Sequence, residues 1–242
     1  MSFVITLYVR EGIVMASDSR LSLNSQRRDA DVTVVSLSVA QSDSNYKTFL
    51  GPNRIGISTY GAADIGGVPL GGYVETFLNE EMTETPVTPE TIARGLRDYF
   101  RGLTPLPKTF FHVAGYQASD STLEQQVWTV DVAGDQVARL DTSSQGASWG
   151  GESDILARLV QPVGILDSSG AVQSVLPHFG IPFQYFTLQD AIDFAVFALR
   201  ATIDAIRFQP RPKTVGGPID ILVIKPGSAQ WVQRKELTGE RA

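Results

Sequence analysis

The first twenty-two residues constrain this chain more than any other stretch. They read Met1-Ser2-Phe3-Val4-Ile5-Thr6-Leu7-Tyr8-Val9-Arg10-Glu11-Gly12-Ile13-Val14-Met15-Ala16-Ser17-Asp18-Ser19-Arg20-Leu21-Ser22. Phe3 to Val9 is rich in β-branched and aromatic residues, Arg10-Glu11-Gly12 is a polar break with a glycine, and Ile13 to Ala16 is apolar again. This pattern predicts two strands joined by a tight turn. The second strand runs directly into a carboxylate and a guanidinium, Asp18 and Arg20. A hairpin brings its two open ends together, so Asp18 is expected close to Ser2.

Ser2 has a chemical reason to matter. An initiator methionine is usually removed before a small residue, which leaves a hydroxyl and a free α-amine on Ser2. That amine has an unperturbed pKa of about 8 and can act as the base for its own hydroxyl. Threonine with an N-terminal amine is a nucleophile–base pair of this kind, and serine supports the same chemistry. Taken alone, Ser2 is better explained as an ordinary residue after Met. Its surroundings carry the argument.

Gly12-Ile-Val-Met-Ala-Ser-Asp18-Ser-Arg20-Leu-Ser22 resembles the signature of proteasome β subunits and their bacterial relatives, the HslV and Anbu-type proteins. In that family a strand ends in Ala-x-Asp-Ser-Arg and the nucleophile opens the preceding strand. Laid on the motif, Asp18 takes the position of the catalytic aspartate. The family's N-terminal threonine then falls on Ser2 without a gap.

A second stretch, Tyr46-Lys47-Thr48-Phe49-Leu50-Gly51-Pro52-Asn53-Arg54-Ile55-Gly56-Ile57-Ser58-Thr59-Tyr60-Gly61, reads as strand, turn, strand. It also resembles the family, where a lysine begins a short strand and the next strand ends in a glycine beside the nucleophile. Lys47 and Gly61 match these two residues. A buried lysine beside an α-amine and an aspartate lowers the amine's pKa and stabilises an alkoxide, while Asp18 holds it in place. The Gly61 N–H is expected to point at the developing oxyanion. The family's pattern implies pocket residues at Leu21, Ser22, Thr59 and Ala63, which suggests that modest apolar side chains are accepted. Outside the family, Lys47 reads as a solvated lysine at a strand end.

Composition narrows the alternatives. The chain has 242 residues, 43% hydrophobic and 19% charged, which suits one globular domain over 1–242. With no cysteine, disulfides, thiolate catalysis and thiolate metal sites are excluded. The two histidines, His112 and His178, are far apart, so a histidine zinc site and a Ser–His–Asp triad are poorly supported. His112 sits inside an apolar run and reads as a core or pocket residue. A net charge of −6 disfavours nucleic acid. No apolar run reaches the length of a membrane span, and the N-terminus lacks the pattern of a secretory signal. A cytoplasmic location is expected, and neither metal nor organic cofactor is indicated.

The remaining elements follow from local pattern. Leu23 to Asn45 is polar and uneven, with an alternating strand from Val32 to Val39; it looks longer than the matching proteasome segment and suits a hairpin beside the cleft or a subunit contact. Gly66-Gly67-Val68-Pro69-Leu70-Gly71-Gly72 predicts a loop or broken helix, with helix resuming at Tyr73 to Glu81. It lacks the features of a phosphate-binding loop. Met82 to Pro89 reads as a linker. Thr88-Pro89-Glu90-Thr91 starts a helix running to about Phe100, with Ile92, Leu96, Tyr99 and Phe100 as its apolar face. Thr109 to Gln117, Leu123 to Val132 and Gln136 to Leu140 are predicted strands, the last two joined by a turn at Ala133-Gly134-Asp135. Ser153 to Val160 is a predicted helix and Val163 to Tyr185 is irregular. Leu188 to Phe208 is a long amphipathic helix started by Thr187, with Ala191, Phe194, Ala195, Ala198 and Ile203 inward. Val215 to Ile224 is a strand, and Gln230 to Ala242 a polar tail.

Two places depart from the family. Thr142 to Glu152 corresponds to its Gly-Ser-Gly loop, and either Ser148 or the pair Gly150-Gly151 takes that role. Pro212 and Val215 stand where the family places an aspartate and a serine, with Thr214 adjacent as a partial substitute. The order of elements is that of an αββα sandwich. The resemblance implies an N-terminal-nucleophile hydrolase with threonine-type chemistry, most naturally a protease acting on peptides or unfolded proteins. It implies a homo-oligomeric ring and an ATPase that feeds it. The alternatives are a non-catalytic structural ring subunit and a non-peptide amidase of the same superfamily.

Overall fold

The computed structural model describes residues 2–28, 34–81, 86–119 and 122–237, with side chains left out over 23–41 and at residues 81 and 119. Its elements run β1 (Phe3–Val9), β2 (Gly12–Ser17), β3 (Leu21–Arg28), β4 (Val34–Ser42), β5 (Thr48–Leu50), β6 (Gly56–Gly61), β7 (Asp64–Ile65), β8 (Val68–Pro69), α1 (Leu70–Thr76) and α2 (Pro89–Arg101). There follow β9 (Thr109–Ser119), β10 (Thr122–Asp131), β11 (Gln136–Arg139), β12 (Gly146–Gly151), α3 (Asp154–Val160), β13 (Gly164–Leu166), β14 (Val172–Val175), α4 (Leu188–Phe208), β15 (Asp220–Lys225) and β16 (Ser228–Gln233).

Two five-stranded antiparallel sheets form the centre, ordered β12-β1-β2-β15-β16 and β11-β10-β9-β6-β5. Strand alternation explains why they stack. In β1 and β2, Phe3, Ile5, Leu7, Val14 and Ala16 face α3 and α4 and form one core with Leu156, Ala191, Ala195 and Leu199. The intervening Ile13 and Met15 face the other sheet, where they meet Ala114, Val127, Leu222 and Ile224. In the second sheet Ile57, Phe111 and Val113 pack on α1 and α2. The layers are therefore helix, sheet, sheet, helix, and the αββα expectation holds. Each central strand is apolar on both faces because both faces are covered.

α2 starts with a capping box between Thr88 and Thr91, and α4 with one between Thr187 and Asp190. In α4 the fully buried positions are Ala191, Ala195, Ala198, Leu199, Thr202 and Ile206; Phe194 and Ile203 flank that stripe, half-buried.

Four local readings need correction. Helix α1 begins at Leu70 and includes Gly71 and Gly72, continuing into a π-type turn over Phe77–Glu81. Gly71 is used because its face lies against the Tyr46 carbonyl and the Phe49 ring, where a Cβ would stand 3.3 and 3.4 Å away. The segment 142–152, read as a loop, contains β12, which pairs with β1 along its length. Val163 to Tyr185 contains the hairpin β13–β14. The polar tail contains β16, an edge strand on β15 whose polar side chains face outward.

The 23–45 segment is a hairpin of β3 on β4. The start of the strand expected from Val32, the first four residues of the 82–89 linker and the last five residues of the tail fall outside the described residues, as does Met1.

Candidate active site

The β1–β2 hairpin pairs Val4 with Ser17 and so places Phe3 opposite Asp18. The Asp18 N–H donates to the Phe3 carbonyl at 3.3 Å, and the Phe3 N–H returns to Asp18 Oδ1 at 3.0 Å. That second donor is the amide joining Ser2 to Phe3. The expected closeness of Ser2 and Asp18 is thus fixed by a two-way contact at the open end of the hairpin.

Asp18 has no solvent exposure, and both of its carboxylate oxygens accept hydrogen bonds. Oδ1 also accepts from Lys47 Nζ at 2.7 Å. Oδ2 accepts from the Arg20 N–H at 3.1 Å and the Gly216 N–H at 3.0 Å. A buried carboxylate with four donors is a satisfied anion. Lys47 directly precedes β5, and the Thr59 N–H donates to its carbonyl at 2.8 Å. Its side chain is 3% exposed. Burial pushes the Lys47 ammonium below the ordinary lysine range, and the Asp18 charge opposes that. Because Lys47 and the Phe3 N–H share one oxygen, the ammonium lies beside the backbone of Ser2.

Ser2 is itself buried, and its carbonyl accepts from the Glu152 N–H at 2.8 Å. The neighbouring Gly151 has φ +92°, and a Cβ there would stand 1.7 Å from the Ser2 carbonyl oxygen. Only glycine allows β12 to end against Ser2. Of the two readings of the 142–152 segment, Gly150-Gly151 therefore lies at Ser2. Ser148 sits in mid-strand opposite Thr6, and its hydroxyl is 3.4 Å from His112 Nε2.

Gly61 ends β6 with φ +103°, a conformation that disfavours any side chain, and a Cβ would stand 2.5 Å from the Lys108 carbonyl. The preceding Tyr60 packs its ring against Gly150. Of the pocket positions, Leu21 and Ala63 are half-exposed. Thr59 is buried with its hydroxyl 3.2 Å from that of Thr109, and the Ser22 hydroxyl reaches the Lys213 carbonyl at 3.5 Å.

Several contributing residues have no clear signal in the sequence. Glu152 holds Ser2 through its backbone, and its carboxylate accepts from the Thr214 hydroxyl at 2.8 Å. Thr214 thus reaches the site through Glu152, while its neighbour Val215 is buried in the apolar core. Thr48 bridges Ser17 and Ser58 through its hydroxyl, at 2.9 Å to each, below the Lys47–Asp18 pair. The Arg20 guanidinium is held bidentately by Asp43 at 2.7 Å. Among the described residues no three His, Asp or Glu side chains cluster as metal ligands would. No helix among them is long and apolar enough to cross a membrane.

The architecture has a solved counterpart. An Anbu (Gly-1) mutant from Hyphomicrobium sp. strain MC1 superposes with a TM-score of 0.58, over 99% of this chain and 88% of that one, at 15% identity. This chain has an Anbu-like, proteasome-type fold. No protein-family model matches the sequence, and comparison with curated proteins finds no significant match.

Proposed function

We propose that this chain is a proteasome-like N-terminal-nucleophile hydrolase that cleaves peptide bonds. The observation that carries the reading is the buried Lys47–Asp18 pair, with Asp18 also bonded to the amide that follows Ser2. A buried ion pair costs desolvation and is weak evidence for stability alone. A cation set beside an N-terminal amine has an electrostatic use.

In the proposed reaction the residue before Ser2 is removed and its α-amine is free. The amine takes the proton from Oγ as Oγ attacks the substrate carbonyl, and the carbonyl electrons move to oxygen. The Gly61 N–H donates to that oxyanion. The C–N bond breaks, and the amine proton passes to the leaving nitrogen. Water then attacks the Ser2 ester with the same amine as base, releasing the acid and restoring the hydroxyl. Lys47 keeps the amine's pKa down by its charge, and Asp18 keeps Lys47 in place. Leu21, Ser22, Thr59 and Ala63 form the substrate pocket, suited to modest apolar side chains.

We further infer self-association of 1–242 as one proteasome-like unit in a homo-oligomeric ring. Between Arg158 and Asp190 the only Asp, Glu, Lys or Arg is Asp167. This stretch exposes Leu166, Val172, Val175, Phe179 and Tyr185, with Phe179 87% exposed. Uncharged apolar surface of that extent is typical of a covered face. A ring would enclose the site, and an ATPase partner would supply unfolded chains to it in the cytoplasm.

The second reading is a structural ring subunit. Val215, buried in the core where the family places a polar support, favours it.

The test is the intact mass of the purified protein before and after a β-lactone or epoxyketone electrophile. A single adduct mapped to Ser2, absent in Ser2→Ala, supports the hydrolase. A folded protein that exposes a free Ser2 amine yet takes no adduct supports the structural subunit.

A further inference from the structure

A second buried lysine–aspartate pair stands at the same end of the sandwich, and the proposed reaction does not use it. Asp220 opens β15, is fully buried, and is paired in register with Ser17, the residue before Asp18. Lys235 lies two residues beyond β16, and its side chain is 4% exposed. Its ammonium pairs with Asp220 Oδ2, while its backbone N–H donates to Oδ1 at 2.8 Å. The same ammonium lies 4.2 Å from the centre of the Tyr46 ring, and the Tyr46 hydroxyl donates to the Lys235 carbonyl at 3.4 Å. Tyr46 directly precedes Lys47. The two pairs are thus linked twice, through Ser17–Asp18 at the end of β2 and through Tyr46–Lys47 just before β5.

Anchoring a C-terminal segment does not call for this arrangement. Replacing a buried ion pair by apolar side chains is often neutral or stabilising. What an apolar anchor does not supply is a second positive charge in a low-dielectric interior, where charges act on one another over several ångströms.

We propose that Lys235, held by Asp220 and Tyr46, is a positioning residue that sets the charge balance of the Lys47–Asp18 pair from the last strand. Its catalytic consequence rests on the hydrolase reading; its effect on Lys47 does not. Burial is the largest influence lowering the Lys47 pKa; Asp18 opposes it, and the charges of Lys235 and Arg20 reinforce it. Lys235 is pushed down by burial, held up by Asp220 and Asp18, and lowered slightly by Arg234. Asp43 is taken up by Arg20, whose hydrogen bond and charge, with that of Lys47, hold its carboxyl below the usual range against the effect of burial. With Lys235 removed, Lys47 holds its proton to higher pH, and the Ser2 amine, free of one positive neighbour, becomes harder to deprotonate.

The experiment is a pH titration of the full-length protein labelled at lysine Cε and followed by carbon NMR, with Lys47 assigned by Lys47→Arg. It compares wild type, Lys235→Met and Lys235→Arg. The Lys47 midpoint should rise in K235M and return to the wild-type position in K235R, which keeps the charge. In parallel, electrophile capture at Ser2 should slow about tenfold at neutral pH in K235M, the consequence of about one pKa unit, and recover in K235R. Should K235M fold poorly, Lys235→Gln, which keeps a hydrogen bond to Asp220, takes its place with the same expectations. An unchanged Lys47 midpoint in a folded, uncharged variant overturns the proposal, whatever happens at Ser2. A shifted midpoint in a protein that takes no electrophile supports the coupling and counts against the hydrolase reading instead.

Discussion

Two polar clusters are buried between the same two sheets, and they behave differently. One is Lys47–Asp18, charged and held by four donors on one carboxylate. The other is His112, with Thr6 Oγ1 3.0 Å from Nδ1 and Ser148 Oγ 3.4 Å from Nε2. Both central side chains have almost no contact with water. His112 meets the hydroxyls of Thr6 and Ser148, and the Tyr60 ring packs edge-on against it. Burial therefore pushes its pKa down to about 4, and it is a neutral hydrogen-bonding residue near pH 7. Lys47 faces a carboxylate. What separates a structural polar residue from a charged site in this interior is the counter-charge, not the depth.

The sharpest way to break this comparison is to remove the counter-charge. Asp18→Asn leaves Lys47 buried without an anion, and should cost ~3–5 kcal/mol in denaturant unfolding and abolish electrophile capture at Ser2. Adding Lys47→Met to Asp18→Asn should recover part of that stability while capture stays absent. A double mutant no more stable than Asp18→Asn alone would mean that the aspartate acts mainly through its backbone donors.

The neutral cluster makes the opposite prediction, in acid. The folded His112 pKa of about 4 lies below the unfolded value of 6.5. Between these values the unfolded chain binds more protons, so the stability present above pH 6.5 is lost as pH falls toward 4. The full effect is ~3 kcal/mol. His112→Gln, which keeps a donor and an acceptor for Thr6 and Ser148, should flatten that part of the stability–pH curve. An unaltered slope would place the acid sensitivity elsewhere.

The smallest effect is expected at the rim of the neutral cluster. Ser148→Ala removes one long hydrogen bond in a half-buried place and should cost about 1 kcal/mol or less. It should leave Ser2 reactivity unchanged. A loss of electrophile capture in this variant would transfer the supporting role from Gly150-Gly151 back to Ser148.

The parts of the site visible in the sequence are those built by neighbours along the chain. Asp18 meets Phe3 because one hairpin joins them. Lys47 and Gly61 bracket a strand–turn–strand, and the turn fixes their strands. The glycine pair 150–151 was visible as a candidate, but nothing local said whether it or Ser148 lay at Ser2. The register of β12 on β1 decides that, and strands so far apart in the chain pair by fitting two faces at once. The polar appearance of 228–233 hid β16, since an edge strand with both faces partly wet carries little apolar signal. Gly71 and Gly72 argued against a helix start, yet Gly71 is packed closely against Tyr46 and Phe49, and the helix starts there despite their propensity.

By itself, then, the sequence determined the layered sandwich, the hairpin that brings Ser2 to Asp18, and the lysine that meets that aspartate. The hairpin follows from strand alternation and short-range pairing, which depend on a few neighbouring residues; the sandwich and the role of Lys47 follow from the resemblance of 12–22 and 46–61 to the proteasome family. Only the tertiary structure decided that His112 meets the Thr6 and Ser148 hydroxyls, that Val215 belongs to the core, that Glu152 holds the Ser2 carbonyl, and that Asp220 and Lys235 stand beside the first ion pair. These are contacts between distant segments. Their energy depends on which side chain is left without water and which partner replaces it, and that is fixed only when the sheets close on each other.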